Sequence, residues 1–163
     1  MGEVLFFFGA DKANGYLSNW YRAPFKLGYT NIDRLFDFVN VEQAMMASKA
    51  LLFNDIPSFN KILTVTNPKT VKSLGRKVKN FQESVWDQYK KQIVKECIKA
   101  KFTQNPHLLS QLISTGNIYL AEDNPWDKVW GIGTKSANVK AKRTWKGQNL
   151  LGVILMELRT ELS

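Results

Sequence analysis

The chain predicts a mainly helical α+β fold with a small β-rich region at its N-terminus. Three observations carry this. Short apolar runs bounded by turn residues gather in the first forty positions. Helix-start signals recur from Asn40 onward, and apolar side chains return every three or four residues between positions 82 and 102. With 163 residues, 44% of them hydrophobic and 12% aromatic, the chain can bury a core without staples. It shows no internal repeat, low-complexity segment or linker-like shift, so 1–163 reads as one domain.

The elements follow in order. Residues 4–8, Val-Leu-Phe-Phe-Phe, read as a buried strand, and 15–20 as a polar-aromatic loop. Residues 25–29 and 35–38 read as a hairpin joined across Thr30-Asn31-Ile32-Asp33. Asn40 followed by Gln43 has the layout of a capping box and starts a helix that runs to about residue 52. A short helix covers 57–63. Asn67-Pro68 opens another, which Gly75 closes, with proline at the first position and glycine at the end. A long helix spans about 82–102, its inner stripe formed by Trp86, Tyr89, Ile93, Cys97 and Ala100. Asn105-Pro106 ends it and begins the next, which runs to Ser114 and is stopped by Gly116. A short strand at 118–120 and a last helix over about 148–162 complete the chain.

Composition narrows the chemistry. The longest apolar run falls far short of the roughly 20 residues of a membrane span, no signal peptide is visible, and Phe6 breaks the myristoylation pattern after Met1-Gly2. The expectation is a soluble, cytoplasmic protein with no membrane partner. Cys97 is the only cysteine and reads as a small core residue, and His107 is the only histidine and reads as surface. One of each cannot build a Cys/His zinc site, and neither a Ser-His-Asp triad nor a cysteine nucleophile is expected. The net charge of +9 favours polyanions. It is unevenly spread: Lys69, Lys72, Arg76, Lys77 and Lys79 form one acid-free stretch, and Lys135, Lys140, Lys142, Arg143 and Lys146 another.

The segment from Glu122 to Gly133 is the densest in chemistry, with three carboxylates, two tryptophans and a Gly-x-Gly ending. A carboxylate beside aromatic surface is a way to set a general acid or steady a developing cation. A proline-initiated turn whose tryptophans plug the core is the plainer reading. On the first helix, Glu42, Met46 and Lys49 share one stripe. Glu42 is either a partner of the helix dipole or an active carboxylate, with Lys49 two turns along as an anion clamp. Gly75-Arg76-Lys77 is either a helix cap with solvated cations or a phosphate grip. Trp86 is a core or a ligand-contact residue. Gly147 to Asn149 opens the last helix, where ordinary capping and the binding of an anion or sugar both fit.

Taken together, Ser18-Asn19-Trp20, Val41 to Met46 with Lys49, Gly75-Arg76, Lys101-Phe102, Glu122 to Gly133, and Trp145 to Gly152 with Leu155 to Arg159 resemble the NADAR (YbiA-like) family. The order and spacing of these blocks cover nearly the whole chain. The resemblance implies a compact, mostly helical fold and an N-glycosidase activity. Two substrate types are implied: ADP-ribose attached to guanine in DNA or RNA, and phosphorylated ribosylamino-pyrimidine intermediates of riboflavin synthesis. It implies that Glu42, Trp86, Asp127 and Trp130 line the active site. Ser18, Asn19, Lys49, Arg76, Glu122, Gly147 and Asn149 match binding positions. Where many relatives carry His after the first motif glutamate, this chain has Gln43, so acid–base work falls to carboxylates.

Cleaving a ribosyl C–N bond passes through an oxocarbenium-like state, which a nearby carboxylate can stabilise while water is activated. Glu42 and Asp127 are expected to meet at one cleft as the two carboxylates, their roles interchangeable. Trp86 and Trp130 would stack on a base or ribose. No metal or redox cofactor is called for. Two other classes stand beside the hydrolase: a non-catalytic binder of ADP-ribose or nucleic acid that keeps the pocket but not turnover, and a plain nucleic-acid-binding protein, which the charge fits although no helix-turn-helix, zinc-finger or RRM signature is present. The sequence is silent on oligomeric state.

Overall fold

The computed structural model describes residues 2–136 and 144–163. The chain divides into two compact units, one formed by Met1–Tyr21 with His107–Ser163 and the other by Arg22–Pro106. Among the described residues the order is β1 (Val4–Phe7), β2 (Phe25–Tyr29), β3 (Ile32–Phe38), α1 (Val41–Leu52), α2 (Ile56–Leu63), α3 (Pro68–Gly75), α4 (Glu83–Thr103), α5 (Pro106–Ser114), β4 (Tyr119–Glu122) and α6 (Leu150–Leu162). This is the mainly helical α+β class that the sequence predicts.

The Arg22–Pro106 unit is built around α1, which packs against α2, α3, α4 and β3. Residues 41–48 and Ala50 are all buried, so this helix is a pillar rather than a surface element. Its start is locked by side chains. Asn40 Oδ1 accepts from Gln43 N at 2.9 Å, and Gln43 Oε1 accepts from Val39 N at 3.0 Å. The amide nitrogen of Gln43 then donates to Ile62 O and Val65 O at 3.1 and 3.0 Å. One glutamine thus ties the head of α1 to the end of α2. The start of α3 is as the sequence predicts: Asn67 Oδ1 accepts from Lys69 N and Thr70 N, with Pro68 first in the helix.

Three expectations are corrected here. The hairpin turns in two residues, Thr30 and Asn31, because Tyr29 already pairs with Ile32. Asn31 supplies the left-handed conformation (φ 67°) that such a tight turn needs. The stripe of α4 is buried only from Val94 on, through Cys97, Ile98, Lys101 and Phe102. Trp86 is half-buried and Tyr89 is 45% exposed, since the polar residues Glu83, Asp87, Lys90 and Lys91 crowd the first turns. Within the loop expected at 15–20, Gly15–Leu17 forms a 3-10 turn.

In the other unit β1 and β4 run parallel, Val4 opposite Tyr119 and Phe7 opposite Glu122. Helix α6 lies on β4. Gly152 makes the approach possible, because a Cβ there would sit 2.2 Å from Leu120 O. Arg159, 9% exposed, donates from Nη1 to Thr115 Oγ1 and Ile118 O at 2.7 and 2.8 Å, fixing the turn that leads into β4.

Candidate functional site

In the Arg22–Pro106 unit the predicted residues Glu42, Lys49, Arg76 and Trp86 fall on α1, the end of α3 and the start of α4. Glu42, in the first turn of α1, is 5% exposed. Lys49 lies two turns further on, about 10 Å along the axis. Its Nζ donates to Gly75 O at 2.9 Å. The same ammonium stands 4.5 Å from the ring centre of Phe81 and 5.6 Å from that of Trp86, the arrangement in which a cation is held by aromatic faces. Burial lowers the pKa of Lys49, and the charge of Glu42 works the other way. Arg76 is exposed just past α3. A Cβ at position 75 would lie 1.9 Å from Met46 Sδ, so glycine lets that methionine side chain pack directly over α3.

The segment that links α3 to α4 is held down by Asp55, the N-cap of α2. Its Oδ2 accepts from Lys79 N at 2.8 Å and from Ser58 Oγ at 2.6 Å. Sequence reasoning missed Phe81, which is 44% exposed yet sits beside the lysine. The available signal was a lone aromatic in an otherwise polar stretch, Lys79-Asn80-Phe81-Gln82.

In the other unit Asp127 and Trp130 lie on the loop after β4. Asp127 Oδ1 accepts from Val129 N and Trp130 N, both at 2.8 Å. This carboxylate therefore shapes its own loop through one oxygen. Asp123 does similar work, accepting from Ser136 N and Ser136 Oγ, both at 2.7 Å. Loop 128–133 is laced to the start of α6: Gly147 N donates to Ile132 O, Asn149 N to Gly131 O, and Leu151 N to Trp130 O. Gly147 is fixed by contact, since a Cβ would fall 2.3 Å from Gly131 O. Asn149, 1% exposed, adopts a left-handed conformation (φ 52°). Its Oδ1 accepts from Glu122 N at 3.0 Å and its Nδ2 donates to Leu120 O at 2.9 Å. The side chain of Asn149 is thus committed to β4.

Ser18 and Asn19 follow the 3-10 turn and are 7% and 8% exposed, with Ser18 Oγ accepting from Trp20 N at 3.1 Å. Glu122 is the last residue of β4 and half-buried. Of the two basic stretches, Lys69, Arg76, Lys77 and Lys79 are exposed and Lys72 half-buried, while Lys135 and Lys146 are exposed. Lys140, Lys142 and Arg143 lie outside the described residues. His107 is exposed, as expected. Cys97 is fully buried, which pushes its thiol up to about 12 and leaves it no use as a nucleophile. No helix is long and apolar enough to cross a membrane among the described residues.

The chain is 42% identical over 165 residues to N-glycosidase R617 of Acanthamoeba polyphaga mimivirus, covering 98% of this chain and 96% of that protein. It is 27% identical to the riboflavin biosynthesis protein VVA0006 of Vibrio vulnificus over 99% of this chain, and spans 39% of that longer protein. The solved NMR structure of the E. coli protein YbiA matches with a TM-score of 0.79 and 26% identity, over 99% of this chain and 86% of YbiA. The NADAR domain model matches residues 6–163, and the chain belongs to the NADAR domain family.

Proposed function

We propose that the protein is an N-glycosidase that removes ADP-ribose from ADP-ribosylated guanine in nucleic acid. Hydrolysis adds the hydroxyl of water to the anomeric carbon. The electron pair of the C–N bond leaves with the nitrogen, which takes up a proton. Glu42 is assigned the carboxylate that steadies the cationic sugar or draws the proton from water, and Asp127 the second carboxylate. Lys49 and Arg76 hold phosphate, with Trp86 and Trp130 as stacking faces. Ser18, Asn19, Glu122 and the Gly147–Asn149 backbone complete the binding set.

The observation that carries this reading is the Glu42–Lys49 face of α1. A carboxylate 5% exposed shares a helix face with a lysine whose ammonium is fixed between a carbonyl and two aromatic rings. A hydrolase acting on N-glycosyl bonds also accords with the name of the 42% identical relative. The net charge of +9 favours a polyanionic substrate over a small monophosphate.

A second reading is the hydrolysis of a ribosylamino-pyrimidine phosphate, favoured by the relative named for riboflavin biosynthesis. Incubation with a guanine-ADP-ribosylated oligonucleotide and, separately, with the pyrimidine phosphate, read by mass, separates the two. Free ADP-ribose and restored guanine support the first. Turnover of the pyrimidine alone replaces it with the second, and turnover of neither leaves a non-catalytic binder.

A further inference from the structure

Outside the residues assigned above, the loops that follow β1 and β4 build an aromatic cleft. The two strands are parallel, with Phe7 opposite Glu122, so the segments leaving their C-terminal ends emerge side by side. Phe8 comes from one, and Asp123, Pro125 and Trp126 from the other. With Lys135 and Ser136 they line a cavity of about 240 Å³. The rings of Phe8 and Trp126 lie 6.2 Å apart at 49°, and they are 42% and 79% exposed.

An indole left this open forfeits the gain of burial, yet its backbone is tightly fixed. Trp126 N donates to Asn124 Oδ1 at 3.0 Å, and Asp127 Oδ1 caps the next turn. Asp123 pins the opposite wall through Ser136. An exposed aromatic face carried on a fixed backbone loses less entropy on stacking than one on a free loop. Lys135 adds an exposed cation at the rim.

We infer that the Phe8–Trp126 cleft is a stacking subsite for an unpaired nucleobase of a single-stranded segment of nucleic acid, with Lys135 on an adjoining phosphate. This rests on the reading that the substrate is a nucleic acid. A free nucleotide is the poorer fit, because small-molecule sites enclose most of their ligand, whereas this face is open. Stacking strengthens binding by about five- to 150-fold per base, which suits a strand held at several points.

The test uses an unmodified, labelled single-stranded oligonucleotide, with binding followed by anisotropy across a salt series. Trp126→Ala and Phe8→Ala are expected to weaken binding about fivefold or more while Trp126→Phe retains it. The salt slope should stay the same in Trp126→Ala and fall by about one in Lys135→Gln. Wild-type affinity in Trp126→Ala overturns the proposal. So does an equal proportional loss for ADP alone, which would make the cleft a free-nucleotide site. The probe has no bond to cleave, so the outcome is separable from the proposed activity. Loss of oligonucleotide binding with no glycosidase product sinks the activity and keeps the subsite, and the reverse result does the opposite.

Discussion

Lys49 Nζ donates to the carbonyl oxygen of Gly75 at 2.9 Å, which joins the last turn of α1 to the end of α3. A Cβ at residue 75 would meet the Met46 side chain, which would have to move aside. The hydrogen bond sets the ammonium against Phe81 and Trp86 and leaves it further donors for an anion.

This arrangement gives Lys49 a pH signature. Its pKa is lowered by burial from an ordinary 10.5. The cation is present below that lowered value and lost above it. If Lys49 holds substrate phosphate, KM rises with pH, beginning at a lower pH than an ordinary lysine would allow. Lys49→Arg should remove the alkaline rise, because arginine keeps its charge. KM measured against pH for both proteins checks this, and a flat wild-type profile excludes a charge-based role.

Asn149 is predicted to act on stability as much as on binding. Its amide joins Leu120 O and Glu122 N from a fully buried site. Asn149→Ala would orphan both groups and place alanine at φ 52°, where it is strained. The expected loss is about 2 kcal/mol or more, read from urea unfolding. An unchanged midpoint would leave Asn149 a ligand contact alone.

Lys101, on the buried face of α4, is 1% exposed, and burial pushes its pKa down to about 7 from 10.5. Between those values the unfolded chain holds the proton and the folded chain does not, so stability rises with pH across that window. Lys101→Met should flatten the rise. Urea midpoints taken through the window decide it, and an identical slope in the variant would assign the rise to other groups.

The sequence made local chemistry legible and distant pairing illegible. Asn40 with Gln43, and Asn67 with Pro68, announced α1 and α3 because capping is settled within a few residues. The parallel pairing of β1 with β4 joins segments more than a hundred positions apart, and no local pattern encodes it. Lys101 was legible only as part of the Lys101-Phe102 block, and nothing local shows that this lysine is drawn into a core. Glu42 and Lys49 were legible as one helical face. Phe81 was not, because its position depends on Asp55 holding the Lys79 backbone. Asn149 showed the limit of motif reading: the position was singled out, but its bonds to β4 were not foreseeable.

The catalytic assignment of Glu42 is tested most directly by Glu42→Gln, which keeps shape and removes charge. With guanine-ADP-ribosylated oligonucleotide, kcat is predicted to fall about 10²- to 10⁴-fold while the variant still melts in one cooperative transition. Wild-type turnover in that folded variant would contradict the account.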